Sequence, residues 1–252
     1  MLIPRALFAG NAAAVTWSPW ALGTSLFAWF DAEIDASVTQ SGGLVSAWQD
    51  VVSSFSVIQS NGSQKPVYTT GSFNSRPGII FDGVDDRLQG ANFPASYPSG
   101  GAPGWIWGLV SQEAGAGVVS RCDVLSYGSQ TTTNNTRRLC RVTTGGVNRA
   151  VSGIGDGTNN ADALNTSVDF SNRHVVIAKA SGTISVCDVD GVSGSAGQQS
   201  AVPATTASQL FSIGGATNGG DFWTGRMSAV LLTAPLSAAD EAKLLAHLSL
   251  RL

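Results

Sequence analysis

The apolar residues of this chain arrive in short runs, and turn-forming residues break almost every run within a few positions. That pattern limits the fold more than any other feature. Leu26-Phe-Ala-Trp-Phe30 comes first, and Gly42-Gly43 then turns into Leu44-Val-Ser-Ala-Trp48. Phe55–Ile58, Val67-Tyr68, Gly78–Phe81, Val118-Val119, Val124-Leu125, Leu139–Val142 and Val147–Val151 follow at close spacing. Alternating or short apolar runs of this kind read as strands, and their regular spacing reads as an all-β body. Trp105-Ile-Trp-Gly-Leu-Val110 is apolar on both faces, so it is expected to be a central strand covered on both sides. His174–Ala178 and Ile184–Val189 flank Ser181-Gly182, and Asp190-Gly191 predicts a two-residue hairpin whose central residues both need positive φ. Leu210–Ile213 and Met227–Leu232 supply the last strands. The polar stretches 126–136, 153–166 and 194–208 carry no periodicity and are expected to be exposed loops or connectors.

Helical spacing occurs once. Leu244, Leu245, Leu248 and Leu252 fall on one face after Ser237, which can cap, and Asp240, which can complete a capping box. This helix is expected to lie over one flank of a sheet.

Charge narrows the function classes. Only 12% of the residues are charged, against about 25% in an average domain. The net charge of −3 provides no basic field for nucleic acid. No apolar run approaches the ~18 residues of a membrane span. A chain of 252 residues is long enough to bury a sizeable core. Cys122, Cys140 and Cys187 show no CxxC spacing. They are expected to act as small hydrophobes in or near strands; at most one pair could close a disulfide, and the sequence does not say which.

Residues 1–14 hold one charge, Arg5, and a short apolar run interrupted by Pro4. The run is too short for a signal peptide. An arm of this composition must be covered by something, and Leu2, Ile3, Leu7 and Phe8 are its candidate contacts to a partner. The expected organisation is therefore an arm over residues 1–14 and one domain over 15–252.

Several side chains could carry chemistry. Asp82, Asp85 and Asp86 form a tight acidic string that could hold Ca²⁺, although its spacing is not that of an EF-hand and an Asx turn is the preferred reading. Asp31, Glu33 and Asp35 begin like the carboxylate string of a glycosidase, but Ser37 and Val38 stand where a second glutamate would be needed. His174 and His247 lack a nucleophile context such as Gly-x-Ser-x-Gly. Trp29, Trp48, Trp105 and Trp107 fall in strand patterns and are assigned to the core. Trp223, beside Gly219-Gly220-Asp221, is the best candidate for an exposed aromatic that stacks on a sugar, with core packing the favoured alternative. Arg137, Arg138, Arg141 and Arg149 could bind an anionic glycan or form a solvated hairpin face; Arg137 and Arg138 are taken with Trp223 as the candidate ligand residues.

The order of these parts resembles a known superfamily. Leu26–Ala32, Val45-Ser-Ala-Trp-Gln-Asp50, Arg76–Leu88 with its Phe-Asp-Gly-Val-Asp-Asp string, Phe211-Ser-Ile-Gly-Gly215, Phe222–Leu232 and the closing helix together resemble the concanavalin A-like, laminin-G-like jelly rolls. The likeness is strongest to versions found in tailed-bacteriophage structural proteins, in which a short apolar arm precedes a Trp-x-Pro, here Trp17-Ser-Pro19. The resemblance implies a jelly-roll β-sandwich of two antiparallel sheets with one short C-terminal α-helix. Taken with the missing catalytic constellation, the low charge and the apolar arm, it leads to the expectation of a non-enzymatic structural or decoration protein on the virion surface. The arm would bind other virion proteins, the protein would form a homo-oligomer, and the outward loops would meet cell-surface glycans. No cofactor is implied beyond Ca²⁺. A free carbohydrate-binding module or lectin is the alternative, and a polysaccharide hydrolase a weaker one.

Overall fold

The computed structural model describes residues 17–112, 121–129, 135–144, 146–155, 160–198 and 210–252. The short apolar runs become seventeen strands among these residues. In chain order they are β1 (Leu26–Asp31), β2 (Val38–Ser41), β3 (Leu44–Gln49), β4 (Ser56–Ile58), β5 (Val67–Phe73), β6 (Arg76–Asp82), β7 (Leu88–Ala91), β8 (Gly104–Gln112) and β9 (Arg121–Ser129). There follow β10 (Asn135–Thr144), β11 (Val147–Gly155), β12 (Asn160–Ser167), β13 (His174–Ser181), β14 (Ile184–Val189), β15 (Val192–Gln198), β16 (Leu210–Ile213) and β17 (Thr224–Thr233). One α-helix, α1 (Ala238–Ser249), closes the described chain. The expected arm, with Leu2, Ile3, Leu7 and Phe8, and the expected strand at Val118-Val119 lie outside the described residues.

Every strand pairing is antiparallel. β17 is the spine of one run: it pairs with β8 on one side, and with β6 at its start and β1 at its end on the other. β8 continues through β13 and β14 to β15. A second run passes from β2 through β3, β4, β7, β16, β9, β10 and β11 to β12. The Leu44–Val67 pair between β3 and β5 joins the runs, so the sheet is continuous and curls around its core. The expectation of an all-β chain with one short C-terminal helix is met, while the expected separation into two sheets gives way to a nearly closed, barrel-like sheet.

The far edges come together without joining. A side chain on Gly194 would sit 2.5 Å from the carbonyl oxygen of Leu164, and one on Gly197 would sit 2.9 Å from the amide nitrogen of Ala163. The absence of Cβ at these two positions lets β15 lie against β12.

The core fills the space between the runs. Phe211 is fully buried there and meets the rings of Phe30, Phe55, Phe93, Tyr97 and Tyr127 at centroid distances of 5.6–6.3 Å. A second apolar layer lies beyond the first run, where Leu244 and Leu248 of α1 cover Val175, Ile177, Trp107, Leu109 and Leu231. Trp107 is thus buried within that layer, as expected of a two-sided strand. Ser237 Oγ accepts from the Asp240 amide at 3.2 Å and donates to the Asp240 carboxylate at 2.9 Å, which caps the helix.

Three polar stretches expected to be loops are partly strand. Residues 126–129, 135–136, 153–155, 160–166 and 194–198 all lie within strands of the sheet. Strand pairing uses backbone amides and carbonyls, so polar side chains without alternation enter a sheet when long-range neighbours supply the ladder. Asp190 and Gly191 adopt φ of 51° and 83°, as the hairpin between β14 and β15 requires.

Truncating Phe211 to alanine removes the ring that all five neighbours share. The expected loss is about 3–5 kcal/mol of unfolding free energy, read from urea unfolding followed by tryptophan fluorescence.

Candidate functional site

The carboxylates nearest to a glycosidase pattern hold the chain together. Asp31 is 1% exposed and receives both terminal nitrogens of Arg251, at 2.9 and 2.8 Å. It also accepts from Trp29 Nε1 and from the Glu33 amide, each at 2.9 Å. Glu33 in turn pairs with Arg251 at 3.3 Å and Arg76 at 3.2 Å. Asp35 sits in an exposed 3₁₀ turn. The network ties β1 to the end of the chain and engages both oxygens of Asp31 with Arg251.

The acidic string does come together: one carboxylate oxygen from each of Asp82, Asp85 and Asp86 lies within 4.8 Å of the others. Its hydrogen bonds are those of an Asx turn. Asp82 Oδ1 accepts from the amides of Val84, Asp85 and Asp86 at 2.8, 3.3 and 3.4 Å. Asp86 Oδ2 accepts from the Asp82 amide at 3.0 Å. Burial, with Asp82 and Asp85 alongside, pushes the Asp86 carboxyl up to about 6 against the lowering effect of that amide bond. Calcium wants six to eight oxygens, whereas these three side chains offer six at most, and Asp82 Oδ1 and Asp86 Oδ2 already accept from backbone amides, so the set fits a turn better than a metal site.

The candidate ligand residues are buried. Trp223 is 1% exposed and meets Phe170 edge-on at 6.0 Å, inside the core. It presents no face to a sugar. Trp223 lies just before β17, where its amide donates to the Gly214 carbonyl oxygen at 2.9 Å and its ring packs in the main core among residues from distant strands. Arg137 is 2% exposed and donates to the carbonyl oxygens of Gly100 and Ala102, both at 2.5 Å. Arg138 is 3% exposed and pairs with Asp162 at 3.1 Å. Arg141 donates to Asn148 and Thr143, each at 2.9 Å, and to the Cys122 sulfur at 2.9 Å. Cys122, Cys140 and Cys187 are all buried free thiols. Neither these arginines nor Trp223 forms an exposed ligand patch.

His174 is an ion-pair partner: Nδ1 lies 2.7 Å from Asp190 and Nε2 lies 2.9 Å from the Asp169 carbonyl oxygen. The Asp190 bond raises its pKa against the effect of burial. Burial and nearby Arg251 lower that of His247.

An open groove with a volume of about 600 Å³ lies where β12 meets β15. Arg149, Asp162, Leu164 and Asn165 line one side, and residues 193–196 line the other. Both oxygens of Asp162 are taken, by Arg121 at 2.7 Å and Arg138 at 3.1 Å. The Asn165 amide nitrogen donates to the carbonyl oxygens of Cys187 and Val192, at 3.1 and 2.9 Å. Only Arg149 of the four arginines singled out from the sequence reaches the groove. The other lining residues were missed because they sit in two stretches read as loops, which long-range pairing converts into facing strands.

No family model and no curated protein matches the chain. Solved structures share its fold. Domain 4 of AbnA, a GH43 extracellular arabinanase from Geobacillus stearothermophilus, in complex with arabinotriose, has a TM-score of 0.61 at 11% identity, over 88% of this chain and 98% of that one. Tailspike protein 2 of an Escherichia coli O157:H7 bacteriophage has a TM-score of 0.53 at 17% identity, over 71% of this chain and 26% of that one. An arabinofuranosidase complexed with arabinofuranosyl-alpha-1,2-xylobiose has a TM-score of 0.59 at 10% identity, over 81% of this chain and 50% of that one. The chain therefore spans about a quarter of the tailspike and half of the arabinofuranosidase. The expectation that the chain stands apart from enzymes is overturned by these findings: the structures that share its fold belong to an arabinanase, an arabinofuranosidase, a sialidase and a tailspike with an enzymatically active domain.

Asp86 gives a pH test of the turn. Its raised pKa means that the folded chain binds a proton more tightly than the unfolded chain. Stability then falls as pH rises from about 4 to about 6 and stays lower above that range. Asp86→Asn keeps an acceptor for the Asp82 amide without the charge. It is expected to gain about 1–3 kcal/mol over the native chain at pH 7.5, and that advantage should vanish near pH 4 in thermal melts.

Proposed function

We propose that this chain is a glycan-binding domain of a carbohydrate-active protein carried on a tailed-phage or phage-like particle. The observation that carries the reading is the β12–β15 groove. Its volume of about 600 Å³ falls within the several-hundred Å³ range usual for ligand sites, and its lining of arginine, aspartate, asparagine and serine offers hydrogen bonds rather than a greasy slot. Fold likeness to an arabinanase domain in complex with arabinotriose and to a phage tailspike supports the same reading. Membership of the concanavalin A-like jelly rolls belongs to this proposal. Its support is the antiparallel pairing and the two strand runs that face each other across one core.

Binding in the groove is a matter of orientation. Arg121 and Arg138 hold the Asp162 carboxylate from two sides, so its position is fixed before any ligand arrives. Asn165 is held by two carbonyls in the same way. A preorganised polar wall loses little entropy when a ring settles on it. Binding to other particle proteins through Leu2, Ile3, Leu7 and Phe8, and assembly as a homo-oligomer, complete the proposal.

Two measurements test it. A panel of surface polysaccharides and arabinotriose, titrated by calorimetry against the full chain with reducing-end release followed in parallel, is expected to show saturable binding. Ser195→Trp, which fills the groove, should weaken that binding at least about tenfold with little change in melting temperature. Absence of binding, or binding indifferent to Ser195→Trp, overturns the groove assignment. Deleting residues 1–14 is expected to leave assembled particles without the chain, as read by gel densitometry; full occupancy would refute the arm as anchor.

A further inference from the structure

We infer that the β12–β15 groove selects glycans that carry a carboxylate, with Arg149 as the residue that recognises the acid. The inference rests on the glycan-binding reading above and adds the chemical class of the ligand.

Two of the groove's polar side chains are already engaged. Both oxygens of Asp162 already accept from guanidinium groups. The amide nitrogen of Asn165 is shared between two backbone carbonyls. The carboxylates of Asp123 and Asp221 lie in the field of Arg138, and that of Asp221 also in the field of Arg121. Three carboxylates and two arginines thus form one electrostatic set, which reaches the groove through Asp162. Arg149 stands outside it. Its guanidinium makes no hydrogen bond or ion pair among the described residues, and its Nε is buried without a partner. The hydroxyls of Ser193 and Ser195 lie opposite, on an exposed strand.

The groove's uncommitted charge is therefore the positive charge of Arg149. A neutral sugar can exchange hydrogen bonds with the serine hydroxyls but brings no charge to pair with Arg149. A carboxylate brings acceptors only. It also matches the planar fork of an arginine, which binds carboxylates through two parallel bonds. Burial of Nε within an open groove adds to this, because a half-desolvated guanidinium without a partner is relieved when an anion arrives. A uronic or sialic acid residue has that group on a ring of suitable size.

The test uses matched ligands: oligogalacturonate and oligosialate, each beside its carboxyl-reduced derivative, with arabinotriose as a neutral reference. Calorimetry on the full chain is expected to show binding of an acidic oligosaccharide that weakens at least about tenfold when its carboxyls are reduced to alcohols. Arg149→Gln should produce a similar loss for the acid form and little change for the reduced form, while melting temperatures stay within about 1 °C. Arg149→Lys, which keeps the charge but not the fork, should fall between. Equal affinity for acid and reduced ligands, or an acid affinity unchanged in Arg149→Gln, overturns the inference. Binding of arabinotriose alone would refute the acid preference and leave glycan binding standing. Binding of none of these, or of the polysaccharide panel, would refute both.

Discussion

The structure depends on bringing two strand runs face to face around one aromatic cluster. Phe211, on the four-residue strand β16, is the point at which β1, β7, β9 and the loop holding Tyr97 meet. Tyr97 is fixed there from both ends. Its ring lies against Phe211 at 5.6 Å, and its hydroxyl donates to the buried Asp50 at 3.0 Å. Asp50 also accepts from the amides of Trp29, Val52 and Ser53 at 2.7, 2.9 and 2.9 Å. One carboxylate thus satisfies several backbone donors that would otherwise be buried unpaired, while the rings above it exclude water.

Low charge in this chain goes with heavy commitment of the charges present. Asp31 and Arg251 join the first strand to the end of the chain across 220 residues of sequence. Lys179 sits between Asp188 and Glu241 and over the ring of Trp105, 4.5 Å from its centroid, which couples α1 to the sheet. Arg121 and Arg138 share Asp162. With so many ionic groups tied inward, a cation left without a partner at a groove is a strong pointer to a ligand, and Arg149 is such a cation.

The fold itself hosts varied chemistry, so its likeness to parts of glycan-handling proteins at 10–17% identity directs attention to a site rather than deciding one. The groove exists because β12 and β15, at opposite ends of the sheet's two runs, are pressed together where Gly194 and Gly197 remove side chains from the contact. The architecture and the site share one cause, which is closure of the sheet at that edge.

Local chemistry in the sequence determined the strand-rich class, the capped closing helix with its leucine face, the Asp190-Gly191 hairpin and the acidic turn at Asp82–Asp86. Each of these rests on contacts between residues near in sequence, where spacing alone sets which groups can meet. Only the tertiary structure decided the rest. It buried Trp223, Arg137 and Arg138, the candidate ligand residues of the sequence, because neighbours from distant strands cover them. It turned polar stretches into β12 and β15, since a backbone ladder needs a partner and not a side-chain pattern. It also left Arg149 without a carboxylate at the groove, a fact set by which distant acids the other arginines had already engaged.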